Sequence, residues 1–479
     1  MITTIIICGY LFFIFGLGSY FSHQKNTDDF FLAGRSMHWL PVALSYVASL
    51  TSAISFMAAP MYTYQFAMLP AANEILVVAF ALPVIVLIFL PLYAKIGSVS
   101  IYEFLEVRFS LTVRMMGSTL FLLNRFVWMG MVIYVPSMVL SYLTGIELWQ
   151  LVLIIGTLTT VYTCIGGMRA VIWTDVAQFV IFFLGLFVVL FVVAGRIEGG
   201  VMGAFQQGVQ LEKIKFFRWG WDLDTPNTWV LAFGAIYGFQ NYAADQVVIQ
   251  RFMSTRSLRQ SIVSFCAACG INFVMVVLMH LVGAFLFVFY QNFPTSVPDE
   301  LELDYIYPHF IKNELPVVVG SFLIAAIMAA SMSSIDSGLN SCSAVLVTDF
   351  HKRLSKTRHS PDYYLRLSRI WTIALGALVT LLGLIVHKIG TSVIDTVLYT
   401  AGWFAPPISA VFLLGAVSKR MNVPGAISTL ILGPAIMIAL RYTTTLPSWT
   451  FTTVSMTICL VIGYLVSLCS RRPTPDSAQ

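Results

Sequence analysis

From Phe322 to Val347 the chain is apolar enough and long enough to cross a bilayer, yet its centre reads Ser331, Met332, Ser333, Ser334, Ile335, Asp336, Ser337. A carboxylate at membrane depth costs about a few kcal/mol or more, so it faces a partner, an ion or water. On a helix, Ala330, Ser333, Ser334, Ser337 and Ser341 share one face, and Asp336 lies one turn from Ser333. Hydroxyl and carboxylate oxygens are hard ligands that suit a hard cation, and the monovalent candidate is sodium. Serines alone would equally let helices approach closely or bond back to the preceding turn. Asp336 among them favours an ion site.

Composition extends this from one segment to the whole chain. Of 479 residues, 58% are hydrophobic and 10% charged, and the mean hydropathy is +0.85. This predicts an all-α polytopic membrane protein. Thirteen apolar stretches stand out, at about 3–21, 39–64, 74–94, 113–143, 148–165, 173–194, 229–250, 262–290, 317–350, 370–386, 393–417, 423–440 and 449–468. With the N-terminus outside and the C-terminus cytoplasmic, most of the 27 Lys and Arg fall on the cytoplasmic side, Arg169, Arg251, Arg256 and Arg259 among them. The acidic run Asp299, Glu300, Glu302 and Asp304 then lies outside. Net charge +5 reflects this orientation, and neither nucleic acid nor an obligate protein partner is expected. The first stretch has no basic leader and no clear cleavage site, so it is expected to stay as a helix.

Other energy sources find no support in the sequence. There is no Walker motif for ATP, no hydrolase constellation, and no connection long enough for a soluble domain. Cys266 and Cys269 sit inside an apolar helix and read as small packing residues. An ion gradient remains, and the protein is expected to be no enzyme. The second stretch carries its own interruption: Ala48 to Ser55 is weakly helical and precedes Ala58, Ala59 and Pro60. Unwound backbone at that depth is tolerated where it lines a cavity, and its free carbonyls can bind a cation. A proline kink with small residues at a helix contact is the other reading.

Four ordered blocks carry a resemblance to a known family. Asp28 to Met37 (DDFFLAGRSM), Gly166 to Gln178 (GGMRAVIWTDVAQ), Asp245 to Arg251 (DQVVIQR) and Ser333 to Ser337 (SSIDS) resemble the sodium/solute symporter family, over about 20–464. Phe216 to Trp221 and Ser100 to Phe109 look nearest to its bacterial sialic acid transporters and its monocarboxylate, multivitamin and iodide branch. The resemblance implies a LeuT-like core of two inverted five-helix repeats within 39–418. An extra helix and linker would precede it at 1–38, and two helices with a short tail would follow at 419–479. One or two sodium ions and a small solute would bind near the bilayer midplane.

Carried over residue by residue, the common sodium site implies backbone carbonyls of Ala48, Thr51 and Ala330 with hydroxyls of Ser333 and Ser334. A second site found in some members implies Asp175, Ser333, Asp336 and Ser337. A relative carries serine where this chain has Asp336, so two carboxylates would share one cation, or Asp336 would carry a proton. Asp175 also reads as a partner of Arg169. The arginine that grips a carboxylate in sialic acid transporters corresponds to Trp128, whereas this chain has Arg125 one turn earlier. Arg125 either recognises the solute from that shifted position or pairs with Glu74 or another acid. Ser52, Ser55, Glu74, Asn241 and Asp245 complete the candidate solute site. An organic anion such as sialic acid or a monocarboxylate is the leading solute, an uncharged sugar the second, and a sensor that binds without transport a third reading.

Overall fold

A computed structural model describes residues 2–220, 228–296, 301–357, 359–386, 393–447 and 450–470, and the secondary structure there is helical apart from one isolated bridge between Met37 and Thr255. Among the described residues nine helices are long and apolar enough to cross a membrane. The pair Trp39–Leu50 and Ala53–Gln65, which meet at 62°, passes the same test when taken together and counts as a tenth if it is one broken span.

Of the three stretches that make up the difference from thirteen, 393–417 is a helix, Val393–Val417, counted only as a shorter apolar one over Gly402–Val417, and the other two have local causes. Predicted spans 148–165 and 173–194 form one 48-residue helix, Leu148–Gly195, broken at Gly167 (φ 58°, ψ −165°). Only glycine adopts that conformation without strain. A Cβ there would also stand 2.9 Å from Phe30 O, so two of the sequence blocks meet backbone to backbone. Gln24 Nε2 donates to Ile165 O and Gly166 O at 3.2 and 3.0 Å, and Arg169 Nη2 to Ala33 O at 3.1 Å. Arg169 thus fastens the linker before the second span and is no partner of Asp175. Predicted span 229–250 is divided into Thr228–Ile236, Gln240–Ala243 and Gln246–Phe252. Gly234 and Gly238 weaken the helix there, and Asp245 starts its last piece by accepting from Val247 N at 2.9 Å.

The core is organised around Val317–Val345, in which every residue from Leu323 to Val345 is buried. Polar residues mid-helix therefore face other helices. Beyond it, Asp349 accepts from Arg114 Nη2 at 2.6 Å and from Ser100 and Ser118 hydroxyls at 2.7 Å each. Glu106 bonds both Arg114, at 2.7 Å, and Arg353, at 2.8 Å. The Arg353 guanidinium holds the Glu106 carboxyl below its usual range. This cluster ties the Ser100 to Phe109 block to the far end of the serine-rich helix.

The broken second span packs closely on Leu258–Asn292. A Cβ on Gly283 would lie 2.0 Å from Pro60 O, backbone that cannot swing aside, whereas one on Gly270 of the same helix would meet nothing within 4 Å. Gly283→Ala is expected to cost about 1–3 kcal/mol through overpacking, and Gly270→Ala to be neutral or stabilising by up to about 1 kcal/mol. Thermal melts of the purified variants check this, and equal melting temperatures would contradict the close approach.

Candidate functional site

The break in the second span frees backbone oxygens. Thr51 N still closes the helix on Val47 O at 2.9 Å, but Ser52 N turns to Leu50 O at 3.1 Å rather than Ala48 O. Ser55 N goes to Ser52 Oγ at 3.3 Å rather than Thr51 O. The carbonyls of Ala48 and Thr51 thereby lose their helical donors. Buried Ser52 serves as cap of the second half-helix. Facing the break, Ser334 Oγ donates to Ser49 O at 3.4 Å and to Ala330 O at 3.3 Å. Thr51 Oγ1 is buried with no hydrogen-bond partner, and Ser333 Oγ, buried too, makes no well-formed hydrogen bond and faces the Asp175 carboxylate. Buried hydroxyls of this kind normally find one, so these hard oxygens fit a sodium ion.

Next to them lies a charged cluster. Asp175 is fully buried; its Oδ2 accepts from Ser45 Oγ at 2.6 Å and from Arg251 Nη2 at 3.1 Å, while Oδ1 has no partner. Arg251 is itself fully buried, and also donates to Ser45 Oγ at 2.9 Å, to Val247 O at 2.7 Å and to Ser337 Oγ. Ser337 Oγ donates to Ser333 O at 2.6 Å and Asp336 Oδ1 at 2.9 Å, and Tyr162 OH donates to Asp336 Oδ2 at 2.6 Å. Two of the residues expected to share a second cation, Asp175 and Ser337, thus bind a guanidinium, and Asp336 joins them through Ser337. Arg251, read from sequence as a cytoplasmic charge, belongs inside the core.

A cavity of about 480 Å³ opens between the two interrupted helices. Thr51, Ser55, Glu74, Arg125, Trp128 and Asp245 all line it, as do Asn124, Asn272 and His280. Ser52 is absent from its lining, and the side chain of Asn241 lies outside the described residues, as do Asp299 and Glu300 of the acidic run. Arg125 forms an ion pair with Asp245, each side chain 16% exposed. Glu74 accepts instead from Asn272 Nδ2 at 2.7 Å. Arg125 therefore both faces the cavity and bridges to an acid, and that acid is Asp245.

Ser45, Ser49, Tyr162, Arg251 and Asn272 were not among the sequence candidates. Ser45 and Ser49 carried a signal, four residues apart on an apolar helix; their hydroxyls turn to Asp175 and, from Ser49, to Ser337 at 3.2 Å. Arg251 ends the DQVVIQR block, a cue that it belongs with the motif rather than with the surface.

Known proteins resemble this chain in sequence and in fold. The sodium/sialic acid symporter SiaT of Proteus mirabilis is 29% identical over 443 residues, covering 91% of this chain and 89% of that protein. The sodium-dependent multivitamin transporter of Oryctolagus cuniculus is 30% identical over 424 residues, 86% of this chain and 65% of that protein. A sodium-coupled sialic acid symporter solved substrate-bound and outward-open, with a novel sodium site, superposes with a TM-score of 0.92 at 27% identity, covering 98% of both chains. The fold is therefore LeuT-like, and the protein is a transporter rather than an enzyme. The description of the sodium:solute symporter family matches residues 30–433, so the chain belongs to that family, and its work is sodium-coupled import of a solute.

Proposed function

We propose that the cavity between the interrupted helices binds a small organic solute bearing a carboxylate, and that alternating access carries it inward with sodium. Sodium would be held by carbonyls of Ala48, Thr51 and Ala330 and hydroxyls of Ser333 and Ser334. One observation carries the reading: Thr51 belongs both to the break with its unpartnered oxygens and to the cavity wall that holds Arg125. Arg125 would grip the carboxylate through its planar fork. Sialic acids and monocarboxylates, the solutes named for the relatives, belong to this class. We place the protein in the cell membrane with thirteen crossings, N-terminus outside and C-terminus cytoplasmic, on the distribution of Lys and Arg.

Arg251 supplies a positive charge among Asp175, Asp336 and Ser337, which favours one coupled sodium over two. At about 100 mV a sodium ion contributes roughly 2.3 kcal/mol, and a tenfold gradient about 1.4. A monoanion returns the electrical part and is concentrated about tenfold by one sodium; an electrically neutral solute reaches about 400-fold. An uncharged sugar is the second reading, favoured by the pairing of Arg125 with Asp245 before any solute arrives. The test is uptake into proteoliposomes under an inward sodium gradient, with N-acetylneuraminate, lactate, alanine and glucose compared. We expect sodium-dependent uptake of a carboxylate, with its affinity lowered about tenfold or more in Arg125→Lys. Sodium-driven glucose uptake that Arg125→Lys leaves unchanged would select the sugar reading instead.

A further inference from the structure

We infer that the solute carries a cationic nitrogen as well as a carboxylate: the cavity is built for a small zwitterion that opens the Arg125–Asp245 pair and satisfies both of its halves. This rests on the assignment of the cavity as the solute site and narrows the chemistry of what enters it.

The argument starts from Asp245. Its Oδ1 is fixed by capping Val247 N at 2.9 Å, so the carboxylate is held by the backbone of Gln246–Phe252 and presents Oδ2 to Arg125. It cannot swing away to solvent without giving up the cap. Arg125 comes from a different helix, Leu111–Thr144, and its Nε is buried without a hydrogen-bond partner. The guanidinium thus retains donor capacity for a second planar acceptor. Glu74 lines the same cavity, with Oε1 bonded only to the neutral amide of Asn272. Arg251, the other arginine on the wall, is committed to Asp175, and His280 shares its Nδ1 with the Thr63 hydroxyl at 2.7 Å.

Three kinds of solute would meet these groups differently. A monoanion that took Arg125 for itself would leave Asp245 a mostly buried carboxylate with no counter-charge. A monoanion that shared Arg125 would put its own carboxylate beside that of Asp245 on one guanidinium, with Glu74 a further carboxylate on the same cavity wall. Breaking one side of a buried pair in this way is strongly unfavourable. An uncharged solute would leave the pair closed and make no use of its charges. A zwitterion places its carboxylate on Arg125 and its cationic nitrogen on Asp245, with Glu74 adding to the attraction for the nitrogen, and the charge balance of the cavity is unchanged. Specificity then comes from repulsion as much as attraction, since an anion is penalised by Asp245.

The test uses the full chain in lipid nanodiscs at saturating sodium, with ligand affinity read from the shift of the melting temperature. The probes are two pairs of equal shape that differ only in the charged nitrogen: glycine betaine against 3,3-dimethylbutanoate, and alanine against 2-methylpropanoate. Proline, β-alanine, N-acetylneuraminate and lactate complete the panel. At least one zwitterion is expected to bind about tenfold or more tighter than every carboxylate lacking the nitrogen. Asp245→Asn is expected to bring that ratio close to one while sodium alone stabilises it as it does the parent. N-acetylneuraminate or a simple carboxylate binding as tightly as any zwitterion overturns the proposal, as does a panel in which no zwitterion binds. The matched pairs on the unmodified protein decide the matter even if Asp245→Asn does not fold. Sodium-dependent binding that neither Asp245→Asn nor Arg125→Lys alters would remove the cavity itself as the solute site, and the zwitterion proposal with it.

Discussion

Replacing Arg251 by Gln is expected to destabilise the protein more than any other single change at the site. The side chain is fully buried and joins Asp175, Ser45, Ser337 and the Val247 carbonyl. Removing its charge leaves Asp175 buried without a counter-ion and Asp336 without the nearest positive charge. Breaking one partner out of a buried pair costs about 3–5 kcal/mol. Arg251→Gln should therefore melt well below the parent in the same lipid or detergent. The double variant Arg251→Gln with Asp175→Asn removes both charges and should recover part of the loss, because the penalty lies in the unpaired charge rather than in the missing bond. A single variant that melts with the parent, or a double variant worse by the full sum of the two singles, would show that the cluster is not held together by this pair.

The second large effect is expected at the break in the second span. Ser333→Ala combined with Ser334→Ala removes two hydroxyl oxygens from the proposed sodium shell. Hydrogen-bond-strength contacts to a charge are each worth about 1.5–3 kcal/mol, so the sodium concentration giving half-maximal stabilisation should rise about a hundredfold or more. Stability without sodium should change little, since Ser334 Oγ gives up only two long bonds, to Ser49 O at 3.4 Å and Ala330 O at 3.3 Å, and Ser333 Oγ makes no well-formed hydrogen bond. A sodium titration of the melting temperature reads both quantities in one experiment. An unchanged sodium midpoint would exclude these serines as ligands, and a large loss of sodium-free stability would make them structural instead.

What could be read in the sequence follows from which interactions are local. The serine face of Val317–Val345, the weakness of Ala48 to Ser55 and the glycines of the GGMR block are properties of short windows, and helical periodicity or backbone freedom reveals them directly. The pairing of charges is different. Arg251 meets Asp175 across 76 residues, and Arg125 meets Asp245 rather than Glu74, because of how the helices are rotated against one another. No spacing rule encodes that rotation. The positive-inside rule even misplaced Arg251, since it counts a basic residue by its place in the chain and not by the cavity it faces. The second interrupted span was missed for a related reason: Gly234 and Gly238 lower helix propensity only modestly, and the break is completed by Asp245 capping a new helix.

Thr51 lines the cavity and belongs to the break, so in the proposed scheme the same short segment would serve both the ion and the solute. Two ligands that order the same two-residue segment cannot be independent. Whichever arrives first fixes the backbone of Thr51 and Ser52 and spares the other that entropy, so each tightens the other by the same factor. This reciprocity limits leakage: a segment ordered by sodium alone, or by solute alone, is only partly stabilised in the form that can cross. A longer or looser break at this point would leave both binding sites intact and let each ligand travel without the other.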